Sequence, residues 1–173
     1  MAGSLVKISE TTVTSGATAT LTGIDSTYDV YMLLFHNVIA DADDKDLQFR
    51  FTVSGTADSS ANYEYAIHEL RSDQDAVVRG DTGETHLDVN ISGQGTSTGE
   101  ACSGKILAFN FADASAYSYV TMETNGFDFN TRLMGWDGGG VLKEQQATDG
   151  FQFFWEDTAN FAAGTFKLYG LKK

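Results

Sequence analysis

The stretch from Gly95 to Lys105, GTSTGEACSGK, holds two overlapping patterns whose residue types could do chemistry. Residues 95–99 fit the G-x-S-x-G motif, in which a sharp turn between a strand and a helix presents a nucleophilic serine, here Ser97. Gly99 and the pair Gly104-Lys105 have the spacing of a phosphate-binding P-loop, whose backbone amides hold phosphate groups. Taken alone, the two patterns indicate a hydrolase or a nucleotide-binding protein.

The elements predicted around this stretch suit neither a serine nucleophile nor a P-loop. A P-loop needs a Ser or Thr after its lysine and a helix that begins there. Ile106 stands in that place, and the residues up to Phe111 alternate as in a strand. Ser97 lies in a flexible Gly/Ser/Thr-rich loop, and every histidine precedes it, the reverse of the hydrolase order. We therefore predict no catalytic residues and no cofactor.

The histidines and the cysteine do not indicate a metal site or a reactive thiol. His36, His68 and His86 lack the spacing of a zinc site. We expect His36 to pack on a central strand and the other two to be partly exposed. Cys102 is the one cysteine of the chain, so it cannot form an internal disulfide, and no base-like partner lies near it in sequence.

An acidic loop between two predicted strands contains Asp41, Asp43, Asp44 and Asp46. Calcium prefers several such oxygen ligands, but the glycine and the distal glutamate of an EF-hand are missing. We predict a solvated turn and no metal site, and leave calcium binding open.

Aromatic side chains offer one further binding chemistry. Trp136 and Trp155 could stack against sugar rings, although packing in the core is the commoner role of tryptophan. Glycan binding through these two residues is therefore kept as an alternative.

Composition limits the partners of the chain. Its 173 residues, 42% of them hydrophobic, predict one domain spanning residues 1–173. Asp and Glu outnumber Lys and Arg by 24 to 11, and the formal charge of −13 would repel phosphate backbones, so we predict no nucleic-acid partner. No apolar run approaches the roughly 20 residues of a membrane span, and we expect neither a membrane partner nor a signal peptide.

Alternating polar and apolar residues predict strands along most of the chain. In Asp46–Val53 the residues Leu47, Phe49 and Phe51 face one way, while Val30–Phe35 is apolar on both faces and predicts the centre of a sheet. The other predicted strands are 5–8, 19–24, 63–70, 87–92, 107–111, 119–123, 133–135, 151–155 and 165–171. Turns are predicted at 41–44, 54–58, 92–104 and 136–140. This spacing, with no proline in the chain, predicts an all-β antiparallel sandwich of two sheets, jelly-roll-like.

Three stretches resemble a known group of proteins. They are TLTGIDSTYDVYMLLFHNV (20–38), FTVSGTADSSANYEYAIHEL (51–70) and DGFQFFWEDTANFAAGTFKLYGLKK (149–173). Together they are similar to structural virion proteins of tailed bacteriophages, notably marine and cyanobacterial ones. The resemblance implies a non-enzymatic virion component with no catalytic residues to carry over. It is weakest over 77–104, where we expect any variable recognition surface.

The function expected from sequence is therefore structural. The resemblance favours a cement-like decoration protein on the outer head surface, assembled in the host bacterial cytoplasm. Its partners would be the major capsid protein or other virion proteins and further copies of the chain, with a trimer expected from the way sandwich proteins sit at threefold positions. The alternative is a tail or fibre adhesin that binds host glycans, and a polysaccharide hydrolase is a third possibility.

Overall fold

A computed structural model describes residues 4–171, and strands make up most of this part of the chain. Thirteen strands lie within it: β1 (Leu5–Val13), β2 (Thr18–Thr22), β3 (Val30–Ala40), β4 (Leu47–Val53), β5 (Thr56–Ala57), β6 (Tyr63–Arg71), β7 (Gln74–Glu84), β8 (Leu87–Asp88), β9 (Cys102–Phe109), β10 (Ser118–Phe127), β11 (Leu133–Leu142), β12 (Gly150–Trp155) and β13 (Phe161–Leu171). The helical content of the described residues is one 3₁₀ turn, Glu156–Thr158. None of the described residues forms a helix long and apolar enough to cross a membrane.

The strands form two antiparallel sheets. The large sheet has the order β1-β13-β3-β9-β10-β11-β6-β7, and the small sheet has the order β2-β12-β4-β5, with β8 also pairing with β4. Eight of these strands make a jelly roll: β1, β13, β3 and β9 on one side, and β2, β12, β4 and β8 on the other. Successive members of this set alternate between the sheets, except that β4 and β8 both lie in the small sheet, as in a jelly roll. The predicted all-β sandwich is confirmed.

Two hairpins widen the large sheet beyond the jelly roll. Both β6–β7 and β10–β11 are inserted between strands of the core set, and they extend the large sheet past β9. As a result the large sheet is eight strands wide, whereas the small sheet covers only part of its inner side.

The core between the sheets follows from period-two alternation. In β3 the side chains of Tyr31, Leu33 and Phe35 are buried, while Val30, Met32 and Leu34 are only half-buried. Phe153 of the small sheet meets Phe166 of the large sheet with ring centroids 4.7 Å apart. Such contacts place most of the apolar surface between the two layers.

Several strand boundaries differ from the sequence expectation. Gly138, Gly139 and Gly140, predicted as a turn, lie inside β11. A side chain would not fit at Gly140, because a Cβ there would lie 2.6 Å from a methyl group of Leu87. Glycine here allows close approach between β11 and its surroundings. The strand predicted at 87–92 is limited to β8, and β7 was not predicted.

Candidate functional site

The two motif-like patterns lie in the loop before β9 and in β9 itself. Lys105 lies inside β9, so a strand follows it as predicted, although β9 begins earlier, at Cys102, and ends at Phe109. Ser97 is exposed in the preceding loop, and its backbone N–H donates to the Glu100 carboxylate at 2.8 Å. Cys102 is fully buried, and burial raises the pKa of its thiol to about 12, which keeps the thiol protonated at neutral pH.

The three histidines lie on separate parts of the fold. His36 belongs to β3, as expected for a central strand, but its side chain is exposed, so the predicted packing is wrong. His68 lies 3.6 Å from a carboxylate oxygen of Asp137, and His86 lies 3.4 Å from one of Asp88. Each histidine therefore faces a different environment, and none is paired with another.

Both tryptophans belong to the core. Trp136 is 3% exposed and donates its indole N–H to the carbonyl oxygen of Ile91 at 3.1 Å. Trp155 is 2% exposed and packs against Phe161, with ring centroids 5.8 Å apart. Neither ring offers a face to a sugar, so the glycan-stacking role considered for these residues is not supported by their positions.

The acidic loop between β3 and β4 is bound to neighbouring segments. Asp41 accepts hydrogen bonds from the backbone and side-chain N–H groups of Asn160 at 2.8 and 3.0 Å. Asp43 and Asp46 accept from the loop before β9, Asp46 from the Gly93 N–H at 2.8 Å. Across residues 4–171 no three Asp, Glu, His or Cys side chains are grouped to hold a metal ion. The carboxylates serve here as acceptors that join loops.

The most unusual surface lies on the outer face of the large sheet, the side turned away from the core. Eight apolar or aromatic side chains share this face on five adjacent strands. We call them the apolar strip: Val30, Met32, Leu34, Leu107, Phe109, Tyr119, Val141 and Tyr169. Tyr119 is 45% exposed, and the others are half-buried. An antiparallel sheet with one face in water ordinarily carries polar residues there.

Strand register makes the apolar strip continuous. Met32 pairs with Tyr169 on one side and with Leu107 on the other. One row further along, Phe109 pairs with both Val30 and Tyr119. Directly opposite residues in a sheet have Cβ atoms about 5 Å apart, so these side chains touch and form a single surface.

A charged row crosses one end of the apolar strip, where Leu34 lies between Lys105 on β9 and Lys167 on β13. Lys105 and Glu123, opposite each other on β9 and β10, form an ion pair of 3.0 Å. Asp137 follows in the same register on β11, next to His68 on β6. These side chains are exposed, so the apolar surface has a polar rim on this side, an arrangement typical of protein interfaces.

Two depressions lie on the outer face of the large sheet. A groove of about 780 Å³ crosses the charged row and is lined by Leu34, Leu107 and Leu70 beside the polar groups. A second hollow, about 380 Å³, lies between Tyr119 and Glu64. Both lie over the glycines of β11, whose lack of side chains leaves room for groups from a partner.

The sequence contained a signal for this surface. Val30–Phe35 is apolar on both faces, and this correctly predicted an internal strand, since β3 lies between β13 and β9. A sandwich covers only one face of each sheet, however. The second apolar face of β3 must therefore point outward, where it forms part of the apolar strip.

Comparison of the chain with protein-family models, curated proteins and solved structures finds no match. The geometry of the chain itself, together with the sequence resemblance above, carries the functional proposal.

Proposed function

We propose that this chain is a non-enzymatic structural protein of a tailed-phage virion, a cement-like decoration protein that binds the outer head surface through its apolar strip. The observation that carries the proposal is the continuous apolar surface on the outer face of the large sheet. An exposed patch of this kind with a polar rim marks a protein–protein contact site. The resemblance to virion proteins supplies the biological setting.

The physical role follows from burial of the apolar strip. Covering it with a capsid subunit would remove apolar side chains from water, each contributing roughly 25 cal/mol per Å² of area buried. A stable contact buries about 800 Å² on each partner, so the contact would extend from the apolar strip onto the polar rim around it. A subunit bound in this way across neighbouring capsid proteins would resist outward pressure from packaged DNA.

Charge favours the same orientation. The chain has a formal charge of −13, and the apolar strip contains none of its charged residues. Docking through the strip therefore leaves most of the acidic surface hydrated, and those charges pay no desolvation penalty on binding. The partners proposed remain the major capsid protein or other virion proteins.

Binding to DNA-free capsids of the phage that encodes the chain tests the proposal. Tyr119→Asp places a charge in the strip at an exposed position, and we expect it to weaken co-sedimentation with capsids at least tenfold. Thr20→Asp is the matched control, because it adds the same charge to the outer face of the small sheet and should leave binding intact.

Three outcomes would contradict the proposal. Wild-type protein that does not bind capsids would remove the decoration role. Equal effects of the two substitutions would remove the apolar strip from the contact. Binding to host glycans in place of capsids, measured on a glycan array, would favour the adhesin alternative.

A further inference from the structure

The charged row on the outer face of the large sheet is almost balanced within the chain. Lys167 on β13 lies opposite Glu10 on β1, and their charged groups are 3.8 Å apart. Lys105 on β9 forms the 3.0 Å ion pair with Glu123 on β10. Each of these groups has a partner that carries the opposite charge at neutral pH. Asp137, the next position of the row on β11, does not.

Both neighbours of Asp137 leave its carboxylate short of counter-charge. On one side it lies directly opposite Glu123, and like charges in opposite positions of a sheet repel each other. On the other side it lies opposite His68, whose Nδ1 is 3.6 Å from a carboxylate oxygen of Asp137 and which carries a charge only when protonated. Among residues 4–171 no lysine or arginine forms an ion pair with Asp137.

The groove of about 780 Å³ surrounds this carboxylate with apolar walls. Asp137 lines it together with Leu34, Leu70 and Leu107. Gly135 lines it as well, and the nearest atom to the position of a Cβ there is 3.7 Å away, so the groove is open at this point. Lysine and arginine combine an apolar stem with a cationic head, which suits apolar walls beside a carboxylate.

The groove and the apolar strip belong to one surface. Leu34 and Leu107 are members of the strip and also line the groove. A partner that covers the strip and its polar rim therefore also covers Asp137 and removes water from its carboxylate. Because an uncompensated buried charge is costly, a stable contact here requires a cation from the partner.

The charge of the chain indicates which kind of partner brings this cation. A formal charge of −13 attracts a basic surface and repels a second copy of the same chain. A second copy would also have to offer Lys105 or Lys167, which already pair with carboxylates of their own chain. A different protein with an unpaired basic side chain fits the groove better.

We infer that the capsid subunit covering the apolar strip inserts a lysine or arginine side chain into the groove, where its cationic group pairs with Asp137. The inference rests on the proposed function and adds the chemistry of the partner to it. Burial beneath the partner distinguishes this pair from an exposed surface ion pair, which contributes little to binding.

Co-sedimentation with DNA-free capsids measures the pair. Asp137→Asn keeps the shape of the side chain and removes its charge, and we expect it to weaken binding about fivefold or more. Asp75→Asn is the matched control, because it changes the net charge equally at an exposed position of β7 outside the groove, and it should bind like wild type. Raising the salt concentration from roughly 50 to 500 mM should weaken Asp137→Asn less than either of the other two proteins, because screening has one fewer pair to act on.

Urea denaturation at pH 8 separates a binding role from a structural one. Because Asp137 lies opposite Glu123, removal of its charge should leave the free energy of unfolding unchanged or raise it slightly. A loss of stability in Asp137→Asn that accompanies the loss of binding would assign the carboxylate to the fold and overturn the inference.

Three results of the binding experiment also overturn it. Equal binding by Asp137→Asn and Asp75→Asn would show that no cation meets the carboxylate; if Tyr119→Asp still weakens binding, the proposed function stands without the inference. A wild-type mass that doubles with concentration in the absence of capsids, beside a monomeric Asp137→Asn, would assign the groove to a second copy. Wild-type protein that does not bind capsids would remove the proposed function and the inference together.

Discussion

On the small sheet, the side chains that point away from the core are mainly threonine, glutamine and arginine, as at Thr20, Gln48 and Gln152. On the large sheet, eight of the corresponding positions, spread over five strands, are apolar or aromatic. Both sheets bury an apolar inner face, so folding in water requires no more than the small sheet shows. The second apolar face of the large sheet is surplus to folding, which is why we assign it to binding.

The largest expected effect separates the two faces of a single strand. Leu33 and Leu34 are neighbours on β3, the first fully buried and the second on the apolar strip. Leu33→Ala should lower the free energy of unfolding by about 2–5 kcal/mol, because it leaves a cavity in the core. Leu34→Ala should cost about 1 kcal/mol or less, because the side chain is already half in water.

Urea denaturation of the two variants measures this difference. A cost for Leu34→Ala equal to that of Leu33→Ala would show that the outer face contributes to folding as the core does. The comparison between the sheets would then be wrong.

The second prediction compares ionisable groups near the two sheets. Those of the charged row on the large sheet are exposed, whereas Asp46, which directly precedes β4 of the small sheet, is largely buried. Burial raises the pKa of Asp46 from 3.8 to about 7, and Glu156 adds to the shift. Between pH 4 and 7 the unfolded chain releases this proton and the folded chain keeps it, so the contribution of Asp46 lowers stability as pH rises. Above pH 7 the loss is complete.

Asp46→Asn should therefore stabilise the protein by about 1–2 kcal/mol at pH 8 and very little at pH 4, because the amide oxygen can still accept the Gly93 N–H. Asp41→Asn is the matched control. Hydrogen bonds from Asn160 lower the pKa of Asp41, so its stabilising effect is lost as pH falls, and the variant should be destabilised at neutral pH instead. Thermal unfolding from pH 4 to 8 would contradict the assignment if both variants showed the same trend.

The smallest effect is expected on the polar outer face itself. Arg50 lies 4.4 Å above the Phe154 ring and donates its Nε–H to the carbonyl oxygen of Thr85 at 2.9 Å. Arg50→Ala should cost about 1 kcal/mol of stability and leave capsid binding unchanged. Arg50→Lys keeps a cation over the ring and should recover part of the loss. Weaker capsid binding by Arg50→Ala would extend the contact surface to the small sheet.

The sequence predicted the parts of the fold that depend on simple alternation. Phe49 and Phe51 alternate with polar neighbours, and both are buried as expected. The failures have physical causes. Gly138, Gly139 and Gly140 were predicted as a turn, although they lie inside β11, where the lack of side chains permits close packing. β7 was missed because nearly all of its residues are exposed and its three apolar residues, Ala76–Val78, are consecutive, so no hydrophobic period marks it.

The candidate site was harder to predict than the fold. Trp136 was a candidate for stacking against a sugar ring, yet its own ring is buried. The residues that form the apolar strip are ordinary core residue types, and outside Val30–Phe35, where both faces of the strand are apolar, nothing in the sequence marks them as outward-facing. The strip emerges from the register that joins Tyr169, Met32 and Leu107, and those partners are far apart in the chain.

The position of β13 has a consequence for how the protein is made. This strand lies between β1 and β3, with Leu171 paired to Leu5, so the last strand described fills the middle of the jelly roll. During translation the large sheet cannot be completed until Phe161–Leu171 has left the ribosome, because β13 pairs with both β1 and β3. A chain that ends before β13 would leave β1 and β3 without the strand that pairs with both. Such copies would be degraded or would aggregate before they could join an assembly.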